Sequence, residues 1–311
     1  MIQEQRKIQV KERESAMTQS MVMRVTGILI AGILMIVMIA NVVGQATSDT
    51  LTTVSDEGFS YSHFATVLNT YVNDQGMVDY KELTANRESL DRFAEQIAEL
   101  SPTAYQTWND KEKIALWINA YNAFTLKLII DNYPIKSSFA ASLRFPKNSI
   151  RQIPGHWKKV TFIVMGKEMT LNDIEHNTLR KDFNEPRIHM ALVCAAMGCP
   201  PLLNEPYTGE RLDEQFADRT NALLSDPEKF HIDRVKKQVY LSPIFKWFED
   251  DFMKTYGTDE KFEKFSKGKR AVLNFISPFL SDTDRTFLIE TEKFSIEYLD
   301  YDWSLNEQQS S

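Results

Sequence analysis

Cysteine is nearly missing from this chain: 311 residues carry two, Cys194 and Cys199. Two thiols cannot staple a fold, so an apolar core must hold it and the pair can matter only locally. Basic charge is in deficit as well. Thirty-six Lys and Arg face 43 Asp and Glu, for a net charge of −7. The cations read as scattered among the acids, without the basic stripe a polyanion needs, which argues against nucleic acid as a partner. No glycine-rich phosphate loop and no Gly-x-Ser-x-Gly elbow occurs, and no residue pattern calls for a cofactor. What remains is an ordinary globular composition, 43% hydrophobic and 25% charged, sufficient for a sizeable core.

Charge is also absent from Val25 to Val43, a run long enough to cross roughly 30 Å of hydrocarbon. Arg6, Lys7, Lys11, Arg13 and Arg24 precede it. The rule that Lys and Arg stay on the cytoplasmic side places everything after residue 46 outside. Gly44-Gln45-Ala46 supplies small residues for a signal peptidase, so residues 25–46 read either as a cleaved signal peptide or as a retained membrane anchor. Residues 1–24 are then a cytoplasmic n-region, with Met17, Met21 or Met23 as alternative starts, and 47–58 a polar connector. The expected location is the periplasm or the extracytoplasmic face of an inner membrane, with secretion as a further outcome.

Residues 59–306 read as one α+β domain, followed by a short tail, 307–311. Phe64, Val67, Leu68 and Tyr71 fall at helical spacing, and a turn at Asn73–Gly76 leads to a short extended piece, Met77–Tyr80. Leu90, Phe93, Ile97 and Leu100 line one face of a second helix. From Asp110, a plausible N-cap, to Tyr133 the apolar residues cover nearly the whole circumference, which predicts a central buried helix ended by Pro134. Asn119 and Asn122 sit inside it and must find partners, since an unpaired buried amide costs about 1–3 kcal/mol. Lys159–Val164 and Met169–Leu171 signal a hairpin, followed by a helix through Glu175, His176 and Arg180. Arg187–Cys194 reads as a buried strand. Further helices are expected at Gly209–Leu224, Pro243–Thr255 and Lys269–Leu280, with extended pieces at Gln238–Leu241 and Phe294–Tyr298. The central helix is thus expected to pack on a small, mainly antiparallel sheet.

Several of these stretches carry a resemblance. Val78-Asp79-Tyr80, Trp117–Ala123 (WINAYNA), Asp173-Ile174-Glu175-His176, Pro186–His189, Ala191–Cys194 and Gly198–Leu202 resemble the domain of unknown function 547 family, as does the ending Tyr301–Asn306. The similarity implies an uncharacterised bacterial domain, often exported, and brings no established activity.

Chemistry-bearing residues concentrate in one stretch: Glu175, His176, Arg180, Arg187, His189, Cys194 and Cys199. One reading makes Cys194 a nucleophile, with His176 or His189 as base and Glu175, Asn119 or Asn122 orienting it, as in a hydrolase or transferase acting on a peptide or acyl bond. On a strand, His189 and Cys194 would face opposite sides and could not pair directly. A second reading joins Cys194 and Cys199 in a structural disulfide within a non-catalytic binding or scaffold domain. A zinc site is a third, loosely spaced option. Arg180 and Arg187 suit carboxylate recognition or plain ion pairing, and Trp117, Tyr121 and His156 are further binding candidates for a small-molecule or peptide ligand. Trp247, Phe248, Phe252 and Tyr256 read as core packing.

Overall fold

The computed structural model describes residues 59–257 and 261–309, and the apolar run 25–43 with its flanks lies outside the described residues. Among those described, no helix is long and apolar enough to cross a membrane. Residues from Ser60 onward form one unit of an α+β fold. Its first half is helical: α1 (Ser62–Tyr71), α2 (Tyr80–Ala85), α3 (Glu88–Glu99), α4 (Pro102–Thr107), α5 (Asp110–Ile130) and the single turn α6 (Phe139–Ser142).

Helix α5 is the axis. From Ile114 to Ile130 only Lys127 escapes burial, as its all-round apolar circumference requires. Its N-cap is Asn109, one residue before the expected Asp110, in a capping box with Glu112. The helix stops at Ile130 instead of reaching Tyr133, because the residue before Pro134 is sterically barred from helical backbone. Phe64 and Phe93 stack at 4.8 Å to join α1 to α3. The hairpin β1 (Thr161–Val164) and β2 (Lys167–Thr170) lays Phe162 flat on Phe124 of α5, 4.5 Å between ring centres. Its two-residue turn, Met165-Gly166, has both residues at positive φ, and its two N–H groups satisfy the carbonyls of Ile97 and Ala98 at the end of α3.

The second half holds α8 (Leu212–Ser225), the strands β3 (Phe230–Asp233), β4 (Gln238–Leu241) and β5 (Ser295–Tyr298), and helices α9 (Ile244–Trp247), α10 (Glu249–Tyr256), α11 (Lys267–Ile276) and α12 (Asp282–Glu290). Strand β4 is central, antiparallel to β3 and parallel to β5. Phe245, Phe252 and Phe275 fill a second core between this sheet and the helices. The expected single helix Pro243–Thr255 is split in two at Phe248.

Two elements between the halves depart from expectation. The segment Asp173–Leu179 is a π-helical turn running into the short α7 (Arg180–Asp182). Arg187–Cys194 is not a strand. Pro186–Met190 forms a 3-10 turn, started by the fixed φ of Pro186 and capped by the Glu185 carboxylate on Arg187 N–H. The chain beyond it then takes its backbone partners from a side chain. Asn122 of α5 donates to the Ala191 carbonyl at 3.0 Å and accepts from Val193 N–H at 3.0 Å. Asn119 clamps Tyr207 in the same way, donating at 2.8 Å and accepting at 2.9 Å. The opposite-faces expectation for His189 and Cys194 therefore lapses with the strand.

Asn119 is fully buried and serves both backbone groups of Tyr207. Asn119→Ala orphans both at about 1–3 kcal/mol each, so urea unfolding should show a loss of about 2–6 kcal/mol. A loss under about 0.5 kcal/mol would contradict the clamp.

Candidate active site: a dithiol cleft

A cleft of about 260 Å³ opens between α5, the π-helical turn, α9 and the C-terminal segment. Its lining includes Tyr121, Glu175, His176, His189, Cys194, Trp157, Trp247, Phe248, Tyr301 and Trp303. The π-helical turn explains why Glu175 and its neighbour His176 both face it, since the wider turn alters the angular step between consecutive residues.

Cys194 is half-buried at the cleft surface and Cys199 is buried behind it; both thiols are free. Their sulfurs lie 2.9 Å apart. The six-residue loop folds back through Ala195, at φ +57°. That conformation is costly for a residue with a Cβ, so the surroundings must impose it. The C-terminal segment does so: Asn306 N–H reaches the Ala195 carbonyl, Met197 N–H the Ser304 carbonyl, and Gly198 N–H the Asp302 carbonyl. Gly198 itself is needed for close approach, because a Cβ there would sit 2.9 Å from the Tyr301 ring. Tyr301 thereby brings its hydroxyl to 3.1 Å from Cys199 Sγ and 3.3 Å from Cys194 Sγ.

The hydrogen bonds around Cys199 favour its thiolate. Burial pushes the thiol up, but hydrogen bonds from the Cys194 thiol, Tyr301 and backbone amides outweigh it and bring Cys199 down to about 7. Cys194, as the donor to Cys199 and partly withdrawn from solvent, is held well above the ordinary thiol range. The two ionisations are therefore linked, with the first proton leaving more easily and the second held more tightly than in isolated thiols.

The other expected residues divide sharply. Burial raises the Glu175 carboxyl to about 7, against the Tyr121 hydroxyl that donates to it at 3.3 Å. Tyr121 in turn accepts from Trp157 Nε1 at 3.1 Å. His176 Nδ1 receives Arg180 at 2.8 Å, which assigns its N–H to Nε2, and burial with the Arg180 charge lowers its pKa. His189 stacks on Phe248 at 3.7 Å and hydrogen-bonds Asp251 at 2.9 Å, yet burial still drives it down to about 4. Among the described residues no histidine hydrogen-bonds either sulfur. Asn119 and Asn122 are spent on backbone, so neither orients a base. Arg187 is taken by Glu185 and Asp213, Arg180 by Asp251. Trp117 donates to Tyr105, and His156 to the Ile153 carbonyl. Each of these four thus already holds a partner within the protein. For zinc, among the described residues no group of three metal-ligating side chains converges; the third polar atom at the sulfurs is the Tyr301 hydroxyl.

Reading the sequence missed Tyr301, Trp303 and Trp247 as site residues. Trp247 is 48% exposed, in ring contact with Tyr301 and Trp303, and lines the cleft, so it is not the packing residue its helical spacing suggested. Arg151 was also missed: its guanidinium lies over Phe145, Trp303 and Trp157. The out-of-place left-handed Ala195 leaves no trace in residue type, and Tyr301 stands more than a hundred positions from the thiols.

The fold and site define an α+β domain with a paired thiol at the floor of an aromatic cleft. Residues 105–224 match the model of the family described as protein of unknown function, DUF547. The match contains α5, Glu175, His176 and both cysteines, while Trp247, Tyr301 and Trp303 lie beyond it. No curated protein and no solved structure matches the chain.

Glu175 gives a pH-dependent prediction. Its folded pKa, about 7, exceeds the ordinary 4.5, so the stability it permits is full below about 4.5 and is lost as pH rises through 7. Relative to Glu175→Gln, the parent should lose about 3 kcal/mol between pH 4.5 and about 8 in urea titrations. A difference that stays constant with pH would refute the buried carboxyl.

Proposed function

We propose that this domain is a thiol–disulfide oxidoreductase whose working pair is Cys194 and Cys199. The observation that carries it is the contact of two free sulfurs, one at the cleft surface and one behind, under hydrogen bonds that stabilise a thiolate. The sulfurs need to close by less than about 1 Å to bond. A purely structural disulfide has no use for a cleft at one of its sulfurs, nor for a tyrosine hydroxyl shared by both.

In the reducing direction, Cys194 meets the substrate disulfide R–S–S–R′ in the cleft. Its sulfur attacks one substrate sulfur as its proton passes to the Cys199 thiolate, forming the mixed disulfide and releasing R′–S⁻. The released thiolate takes a proton from solvent or from the Glu175 carboxyl, which is half protonated near 7. Cys199 then loses its proton to solvent or to the Glu175 carboxylate left by that transfer and attacks Cys194 Sγ, expelling R–S⁻, which is protonated from solvent. The sum is dithiol plus disulfide giving disulfide plus two thiols. With a pKa near 7, Cys199 is about half ionised at neutral pH, against about 3% for a free thiol.

Hydrolysis or acyl transfer by Cys194 has less support, because the described residues offer its sulfur no histidine base and no orienting amide. Action beyond an inner membrane is part of the proposal. The basic n-region and apolar run at 25–43 favour it, and protein or peptide disulfides are available substrates in such a compartment.

Exposing each variant to an oxidised dithiol peptide and weighing the products tests the assignment. The parent should pass to an internal disulfide and return on reduction, Cys199→Ser should stall as a mixed disulfide at Cys194, and Cys194→Ser should stay unmodified. An internal disulfide that forms once and resists reduction in the folded state would leave only a structural role.

A further inference from the structure

Acidic residues vanish between Asn132 and Lys167. In a chain of net charge −7, these 36 positions hold seven Lys and Arg and no Asp or Glu. The cations are therefore not evenly scattered among the acids along the chain. Lys136, Arg144, Lys147, Lys158, Lys159 and Lys167 are all exposed, and among the described residues none of the six forms an ion pair within 4 Å. Glu307, which reaches this segment, is taken by Tyr133 and Asn148.

At the outer turn of the run stand two large apolar side chains, Phe139 at 85% and Leu143 at 73% exposure. They are four residues apart, on one side of α6 and its C-cap. Their exposure is not the accident of a loose loop. The buried Gln152 side chain braces the turn from beneath, accepting from Ser138 N–H at 2.9 Å and donating to the Pro146 carbonyl at 2.9 Å, with Ser142 Oγ and the Phe145 carbonyl also in reach. Ser138 caps α6 through Ala141 N–H. A braced turn thus holds two apolar prongs outward in a segment whose exposed cations Lys136, Arg144 and Lys147 form no ion pair among the described residues.

We infer that the α6 turn is a membrane-docking element that seats Phe139 and Leu143 in the interface of an anionic bilayer, with Lys136, Arg144 and Lys147 on the lipid headgroups. Charge complementarity selects the occupant. A protein partner would favour a wider apolar patch with charges excluded from its centre, whereas isolated aromatic and aliphatic prongs among cations match an interfacial anchor. The same run borders the dithiol cleft: Arg151 bridges Phe145 of the turn to Trp157 and Trp303, and Lys158 lines the cleft itself. Docking therefore holds the cleft beside the lipid surface. Each cation at an anionic surface is worth about 5-fold in affinity, so the three together contribute on the order of 100-fold.

The test is hydrogen exchange on the full chain, bound to vesicles of phosphatidylglycerol with phosphatidylcholine, and compared with phosphatidylcholine alone; because the basic N-terminal segment also favours the anionic vesicles, the variants below, which leave that segment unchanged, isolate the turn. The amides of 139–145 should exchange about 10-fold more slowly on the anionic vesicles only. Phe139→Ser with Leu143→Ser, and separately the triple change Lys136→Glu, Arg144→Glu, Lys147→Glu, should each abolish that protection while exchange across α5 stays at the parent level. Equal exchange on both vesicle types, or protection that survives the triple change, overturns the assignment. Protection by polyglutamate as strong as by anionic vesicles also overturns it, in favour of an acidic protein partner.

Discussion

One carboxamide sets the position of the thiols. Asn122, on a helix buried all round, takes the carbonyl of Ala191 and the N–H of Val193, the two backbone groups that a strand would have paired with its neighbour. Freed from a sheet, the chain after Val193 can turn at once into the Cys194–Cys199 loop. The cost of leaving those groups unmet, about 1–3 kcal/mol each, fixes the loop to the helix as firmly as a ladder would. Tyr121, one residue earlier on the same helix, points its hydroxyl into the cleft and onto Glu175. A single helical turn thus presents both the anchor of the thiol loop and one wall of the space it faces.

The second constraint comes from the far end of the chain. Residues 302–306 hold the loop by backbone hydrogen bonds, and Tyr301 spans the two sulfurs over a glycine that leaves room for its ring. Burial alone would suppress ionisation of both thiols. The convergence of the Cys194 thiol, its amide and the Tyr301 hydroxyl on Cys199 reverses that for one sulfur and strengthens it for the other. A pair so divided can pass its proton internally while one sulfur reacts. On the opposite wall, Arg180 and His189 gather on Asp251, pinning α10 to α7 and the 3-10 turn, and burial with the Arg180 charge holds His176 neutral at the rim.

How much of this the residues reveal by themselves depends on the range of the interaction. The buried helix, the hairpin and the amphipathic helices are encoded in local periodicity, and they stand where the pattern put them to within a few residues. The RIHMALVC stretch, by contrast, has the composition of a buried strand but is shaped by Pro186, Glu185 and a side chain from another helix. The clustering of Glu175, His176, Cys194 and Cys199 around one space was visible as density along the chain. Their partners were not: Tyr301 and Trp303 reach the site from a distant segment, and Trp247 sits at a break in a helix whose spacing suggested core. Asn119 announced itself as a polar residue that must be satisfied, though its partner proved to be backbone and not an imidazole.

The central physical claim is that the two thiol ionisations are linked under donors that favour the Cys199 thiolate. Thiolate absorbance of the fully reduced protein, followed in the ultraviolet across pH, reads this directly. One ionisation centred at about 7, with the second proton retained well past the ordinary thiol range near 8.5, is the expected titration. Two superimposed ionisations near 8.5 would show thiols that do not sense one another, and the dithiol reading would fall.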